Sequence, residues 1–290
     1  MLRVAVIGTQ GQVARSLSEL SGEDVAVSCI GRPLLDLAQP DTVPAVLDDL
    51  PADIVVNTAA YTAVDKAESE AGLAFAINRD GAAAVAAICA RRNLPLIQLS
   101  TDYVFDGTKS GAYLETDACH PQSVYGASKL AGEQAVLAAF PAAVILRTAW
   151  VHSPFGSNFV KTMLRLSAER DRLRVVADQH GSPTYAPDLA AAIVTMARRL
   201  AGPRDRTLSG IFHLAGAGET TWHGLAVTTM AMAGRGILVD PISTADYPTP
   251  VGRPANSVLN TAKIEAIYGI RLPPWQEGVR HGVARLLSHD

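Results

Sequence analysis

Tyr125 and Lys129 stand four residues apart in Tyr125-Gly126-Ala127-Ser128-Lys129, a stretch whose spacing predicts a helix, so both side chains project from one face. A phenol beside an ammonium can pass a proton to a carbonyl oxygen. In water a phenol, with a pKa of about 10, is too weak an acid for that task, but a neighbouring ammonium stabilises the phenolate and is expected to lower the value toward neutrality. The spacing alone is common by chance. What gives it weight is the segment Leu99-Ser100-Thr101-Asp102-Tyr103-Val104-Phe105-Asp106-Gly107 at the end of a predicted strand, which would bring the Thr101 hydroxyl to the same cleft edge. Thr101 would then donate a second hydrogen bond to the developing alkoxide. No GxSxG elbow follows a strand, and no SxxK, HExxH or GxxxxGK[ST] pattern occurs, so hydrolase and kinase chemistry lack their residues.

Carbonyl reduction also needs a hydride source, and the N-terminus suggests one. Gly8-Thr9-Gln10-Gly11-Gln12-Val13-Ala14 follows the first predicted strand and opens the first predicted helix, the context that makes a glycine pattern meaningful. Gly8 permits a tight turn, and Gly11 lets backbone approach a pyrophosphate at the helix N-terminus. Ala14 replaces the third glycine of the pattern and keeps a small residue for helix packing. Gly8, Gln10, Gly11, Gln12 and Val13 are therefore expected along a nicotinamide dinucleotide. A site for NAD usually carries an acid about 20 residues beyond the glycines. Here that region reads Cys29-Ile30-Gly31-Arg32-Pro33, and the Arg32 guanidinium offers paired donors to a 2'-phosphate. NADPH is the expected cofactor and NADH the alternative. Asp36 and Leu37 would border the adenine, and Lys129 would hold the nicotinamide ribose as well as face the phenol.

The elements that must position these groups are legible as short apolar runs. Leu2 to Ile7, Val25 to Ile30, Asp53 to Asn57, Leu96 to Ser100 and Ala143 to Thr148 have the Val, Ile and Leu content of strands buried on both faces. Helical spacing fills the gaps at Val13 to Leu20, Thr42 to Leu50, Leu73 to Arg92 and Val124 to Phe140. The alternation predicts an α/β fold, a Rossmann-type doubly wound parallel sheet. Beyond Trp150, Pro154, Gly156, Gly181, Pro183 and Pro187 break the pattern around helices at Asn158 to Arg170 and Asp188 to Leu200. A strand at Gly210 to Leu214, a helix from near Thr221, a strand at Ile237 to Pro241 and helices around Ile264 and Val279 follow. Residues 1–150 are thus read as the dinucleotide-binding domain. Residues 151–290 are read mainly as a smaller α/β substrate lobe over the sheet's C-terminal edge, with some later segments returning to the sheet.

Composition narrows the class. The 290 residues are 48% hydrophobic and 18% charged with a net charge of -3, which carries no electrostatic footprint for nucleic acid. The N-terminal apolar run leads into a glycine turn in place of a cleavage site, and the alanine-rich stretch from Gly81 to Ala90 ends at Arg91 and Arg92. Neither a signal peptide nor a membrane span of about 20 apolar residues is expected, and the cytoplasm is the expected location. Cys29, Cys89 and Cys119 have no paired spacing and the histidines are scattered, so neither a disulfide framework nor a protein-bound metal is expected.

Taken in order, the glycine turn, Ser100-Thr101-Asp102-Tyr103-Val104-Phe105 and the Tyr125/Lys129 pair resemble the extended short-chain dehydrogenase/reductase family. Further blocks run from Asn57 to Glu68, Arg147 to Val151, Asn158 to Leu164, Asp178 to Thr184 and Arg253 to Ser257, over almost the whole chain. They are similar to those of the dTDP-4-dehydrorhamnose reductases within that family. The resemblance implies reduction of dTDP-4-dehydro-β-L-rhamnose at C4, with Thr101, Tyr125 and Lys129 at the catalytic positions. It places Ala59, Ala60, Tyr61 and Ser100 along the cofactor. It sets Val64, Thr101, Asp102, Tyr103, Trp150, Asn158, Gln179 and Arg253 around the dTDP-sugar. An indole at Trp150 suits a sugar face and Arg253 suits a diphosphate. Some family members dimerise through a magnesium ion held by surface carboxylates. A homodimer and Mg²⁺ are therefore carried as open alternatives, with no ligand residues assignable in this chain. Two other readings stay open at this point. One is a nucleotide-sugar epimerase or dehydratase, although a dehydratase would carry an acid pair where this chain has Asp102-Tyr103. The other is a non-catalytic NADP-binding regulatory subunit like the β-subunit of methionine adenosyltransferase.

Overall fold

The apolar runs of the first half assemble side by side because pairing satisfies their backbone polar groups while burying most of their apolar side chains. In the computed structural model, which describes residues 1–288, β1 (Leu2–Ile7), β2 (Val25–Ile30), β3 (Ile54–Asn57), β4 (Leu96–Thr101) and β5 (Val144–Thr148) form one parallel sheet. Between them lie α1 (Gln12–Ser18), α2 (Thr42–Leu47), α3 (Val64–Ala67), α4 (Ala71–Phe75), α5 (Ala82–Arg92) and α6 (Val124–Ala139). The second half contributes β6 (Val151–His152), α7 (Phe159–Glu169), β7 (Arg172–Val176), β8 (His180–Gly181), β9 (Thr184–Tyr185) and α8 (Ala186–Leu200). It ends with β10 (Gly210–His213), β11 (Thr220–Thr221), α9 (Trp222–Met232), β12 (Leu238–Ile242), α10 (Ala262–Tyr268) and α11 (Trp275–Leu287).

The sheet order is β10-β5-β4-β3-β1-β2. The direction of winding reverses between β1 and β3, and such a reversal opens a crevice at the strands' C-terminal ends. Gly8 leaves β1 and Thr58 leaves β3 at that crevice, with Ile7 and Asn57 in register. Two apolar layers flank the sheet. One joins Val4, Val6 and Leu146 to Leu189, Ile193 and Phe212. The other joins Ile7, Val55 and Ile145 to Val85, Ile88 and Leu96. A second lobe has its own core of Val160, Leu173, Leu225, Met230 and Val279, where β7 pairs in parallel with β12. Residues after 150 therefore divide. β10 completes the main sheet beside β5 and α8 packs on its core, while α7, β7, α9, β12 and α11 build the lobe.

The helix expected from Leu73 to Arg92 is not uniform. A π-helical turn, Ala76–Gly81, separates α4 from α5. Asn78 donates from Nδ2 to the Tyr61 carbonyl at 3.0 Å and to Ser128 Oγ at 2.9 Å, and Gly81 abuts the Leu37 carbonyl. Close side contacts of this kind are what a widened helical turn accommodates. The composite run 71–92 is long and apolar enough, by composition, to cross a membrane, contrary to the expectation that no stretch comes close. Its place is between the sheet and α6, with Ala82, Val85, Ala86 and Cys89 buried in the second apolar layer, as in the core helix of a globular fold.

Candidate active site

Helix α6 is started by Ser123, whose Oγ accepts the Gly126 amide at 3.0 Å, a serine N-cap that fixes where Tyr125 and Lys129 begin their turn. Gly126 lets the helix press on the Tyr103 carbonyl and Gly132 lets it press on the Asn78 carbonyl, since a Cβ at either would overlap those oxygens. Both candidate catalytic side chains are consequently buried. The Lys129 ammonium donates to the Leu99 carbonyl at 2.7 Å. At the end of the same strand Thr101 Oγ1 donates to Asp102 Oδ1 at 2.9 Å and accepts the Tyr103 amide at 3.2 Å. The Tyr103 ring stands edge-on to Tyr125, centroids 5.5 Å apart, and Tyr61 and Val64 pack against the same small cluster. Thr101, Asp102, Tyr103, Tyr125, Lys129, Tyr61 and Val64 are thus brought to one place.

The electrostatics differ from the simple expectation. Burial pushes the Tyr125 phenol upward, with the Thr101 hydrogen bond opposing it and the Asp102 and Tyr103 charges adding to it. Lys129 does not lower it in this arrangement. Its ammonium is turned to the Leu99 carbonyl, and burial brings it down to about 8 against the opposing field of Glu133. The expected near-neutral phenol is therefore corrected to a firmly protonated one, the form a proton donor requires. Burial likewise brings Asp102 up to about 6, with hydrogen bonds from Thr101 and Ser257 opposing.

At the glycine turn after β1, Gly8 has φ 118°, and a Cβ there would lie 2.6 Å from Thr58 Oγ1, so only glycine serves. Gly11 has open space on its Cβ side. Val13 is buried under the turn in the main core. Gln12 accepts from Ser153 Oγ at 2.8 Å and Asn158 Nδ2 at 3.0 Å, and donates to the Val151 carbonyl at 3.1 Å. Asn158 also caps α7 through the Lys161 amide, and its side-chain amide nitrogen donates to Gln12 Oε1 and the Ser153 carbonyl. Gln10 lines a shallow cavity of about 400 Å³ with Thr9, Arg15 and Phe155. Arg32 is exposed and Asp36 half-buried, whereas Leu37 is buried against Gly81. Ala59 and Ala60 are half-buried in the loop after β3. Ser100 turns its hydroxyl inward to Glu133 Oε1 at 2.5 Å.

On the opposite side of Tyr103 lies a cavity of about 480 Å³ whose lining includes Lys109, Asp178, His180, Arg253 and Asn256. Arg253 is partly buried and paired to Asp65 at 2.7 Å. Gln179 is buried and donates to Thr244 Oγ1 at 3.0 Å. Trp150 adopts φ 47°, a strained setting for an aromatic residue. Stacking on Trp222 at 3.5 Å, a 3.0 Å hydrogen bond from its indole to Ser257 Oγ, and Gly181 flush against the ring hold it there. Trp222, Ser257, Asp65 and Glu133 were not singled out from sequence. Only Glu133 had a readable signal, lying one helical turn beyond Lys129. Among the described residues no group of three or more His, Cys, Asp and Glu is disposed to hold a metal ion.

Comparison with known proteins agrees along the whole chain. A family model described as the RmlD substrate binding domain matches residues 2–288. The dTDP-4-dehydrorhamnose reductase of Sinorhizobium fredii is 51% identical, the alignment covering 99% of this chain and 98% of that protein. The Salmonella typhimurium enzyme of the same name is 38% identical, with 99% of each covered. Among solved structures, the Bacillus anthracis dTDP-4-dehydrorhamnose reductase in complex with NADP superposes with a TM-score of 0.92 at 34% identity, covering 98% of this chain and 100% of that one.

Proposed function

The chain belongs to the RmlD substrate-binding family of dTDP-4-dehydrorhamnose reductases, and from that premise we propose that it reduces the C4 keto group of dTDP-4-dehydro-β-L-rhamnose with NADPH to give dTDP-L-rhamnose. The observation that carries this reading is the convergence of Thr101, Tyr125 and Lys129, from two different elements, at the C-terminal end of β4.

The crevice fits a dinucleotide. Gly8 permits the tight turn against Thr58, Gly11 leaves the turn's backbone open, Ala59 and Ala60 offer small side chains, and Arg32 presents an exposed guanidinium for a 2'-phosphate. When bound, NADPH supplies the hydride. Tyr125 gives its proton to the sugar oxygen as negative charge grows there, which its raised pKa equips it to do only when that charge develops. Thr101 has a single hydroxyl proton, so it exchanges Asp102 for the sugar oxygen and stabilises the alkoxide. Lys129, set on the Leu99 carbonyl in this arrangement, would turn its ammonium to the nicotinamide ribose and so bring positive charge toward the phenol as its proton leaves. The cavity beyond Tyr103, with Lys109, His180 and Arg253, takes the diphosphate end, and the Trp150/Trp222 stack borders the sugar. The test is NADPH oxidation monitored at constant pH with the ketosugar generated in situ, and identification of the product sugar. Ketosugar-dependent oxidation yielding a rhamnosyl nucleotide is expected. Absence of turnover, with NADPH still bound, would favour the regulatory reading.

A further inference from the structure

Behind the site lies a buried ionic cluster that the reaction as described does not use. Glu133 continues the face of α6 that carries Tyr125 and Lys129, one turn further on, and it is only 3% exposed. Its Oε1 accepts from Ser100 Oγ at 2.5 Å and from Arg147 Nε at 2.8 Å, and its Oε2 accepts from Arg147 Nη2 at 2.6 Å. Ser100 and Arg147 are cross-strand neighbours in register on β4 and β5. A buried ion pair of this kind gives little net stability, because each ion loses several kcal/mol of hydration that an apolar pair would never forfeit. Its placement, however, bolts the helix to the strand end. Ser100 lies between Leu99, whose carbonyl receives Lys129, and Thr101, whose hydroxyl meets Tyr125.

We propose that Glu133 is the positioning residue of the active site, fixing the strand end that bears Thr101 to the helix that bears Tyr125 and Lys129 and holding the Lys129 ammonium in its charged state. The inference rests on the catalytic reading of Tyr125 and Lys129 given above. Around Glu133 stand Arg147 of β5, His213 of β10, which is 3.5 Å from Arg147, and Cys119 ahead of α6, whose Sγ accepts from Arg147 at 3.3 Å. Among the described residues, Glu133 is the charged group whose field acts on Lys129, with Tyr125 one turn before it.

The test combines a direct reading of the lysine with turnover. The chain has five lysines, Lys66, Lys109, Lys129, Lys161 and Lys263, few enough for a resolved carbon-labelled lysine NMR titration of the cofactor-free protein. Glu133→Gln keeps size and a hydrogen bond to Ser100 while removing the charge. It is expected to move the Lys129 midpoint down from about 8 by about one pH unit and the alkaline limb of kcat with it. The value of kcat at pH 7.5 should fall roughly tenfold with KM changed less than about threefold. Glu133→Asp, which keeps the charge on a shorter arm, should restore the midpoint but only part of kcat. If the stranded guanidinium prevents Glu133→Gln from folding, Glu133→Gln/Arg147→Met removes both charges, and the lowered midpoint should persist there. A wild-type midpoint in the folded charge-free variants would overturn the proposal, as would equal behaviour of the Gln and Asp variants. Tyr125→Phe run alongside separates the two failures. If it turns over normally the catalytic reading is lost, while the lysine midpoint still reports on Glu133.

Discussion

Acid should loosen this protein through His152. The ring is 2% exposed on β6, and neither nitrogen has a hydrogen-bond partner among the described residues. It lies beside the Tyr185 ring, 5.5 Å between centroids, and faces Gly278 and Gly282 of α11. Burial brings its pKa from 6.5 down to about 4. The folded chain therefore refuses a proton that the unfolded chain accepts, and stability must drain away as pH falls from about 6.5 to about 4 and then level off. At about 1.4 kcal/mol per pH unit the loss assigned to this one ring is about 3 kcal/mol. His152→Leu removes the titration without breaking a hydrogen bond, so at pH 7.5 it should cost at most about 1 kcal/mol. Urea unfolding of both proteins from pH 7.5 to 4 isolates the ring, because titrations common to both cancel in the difference. The wild type should lose about 3 kcal/mol relative to His152→Leu across that range. A difference that stays flat with pH would refute the reasoning.

Two further outcomes concern binding. Trp222→Ala removes the ring on which Trp150 is stacked in a strained conformation, so KM for the ketosugar should rise about tenfold while the NADPH Kd, read by fluorescence quenching, stays within about twofold. Arg32→Ala should weaken NADPH about tenfold or more and leave NADH unchanged, erasing the preference in a side-by-side Kd measurement; equal loss for both cofactors would remove Arg32 from the 2'-phosphate site.

Strands β1 to β5 were readable because a parallel sheet favours runs rich in Val, Ile and Leu, even in the part-buried edge strand β2, and their observed ends fall within a residue of the expected ones. Tyr125, Lys129 and Thr101 were readable for a different reason. Helical spacing and the strand-end position are local, and local geometry survives into the fold. What failed to show in the sequence depends on register or on distant partners. Ser100 and Arg147 meet Glu133 only because β4 and β5 pair in one particular register. Trp222 reaches Trp150 across 72 positions. The π-helical turn at Ala76–Gly81 answers to contacts from Tyr61, Ser128 and Leu37, none of which helical periodicity can reveal. The expected lowering of the Tyr125 pKa went wrong for the same reason. Spacing placed an ammonium one turn away, but the Leu99 carbonyl claimed it and burial dominated the phenol.

The proposed reduction depends on a single hydroxyl, that of Tyr125. Tyr125→Phe deletes that oxygen from a side chain already packed among apolar neighbours and leaves the ring in place, so thermal stability and NADPH binding should match the wild type. Single-turnover NADPH oxidation in the presence of saturating ketosugar should then slow by about 10²- to 10⁴-fold, the usual contribution of a positioned proton donor. A Phe variant that folds, binds NADPH and oxidises it at the wild-type rate would contradict the account.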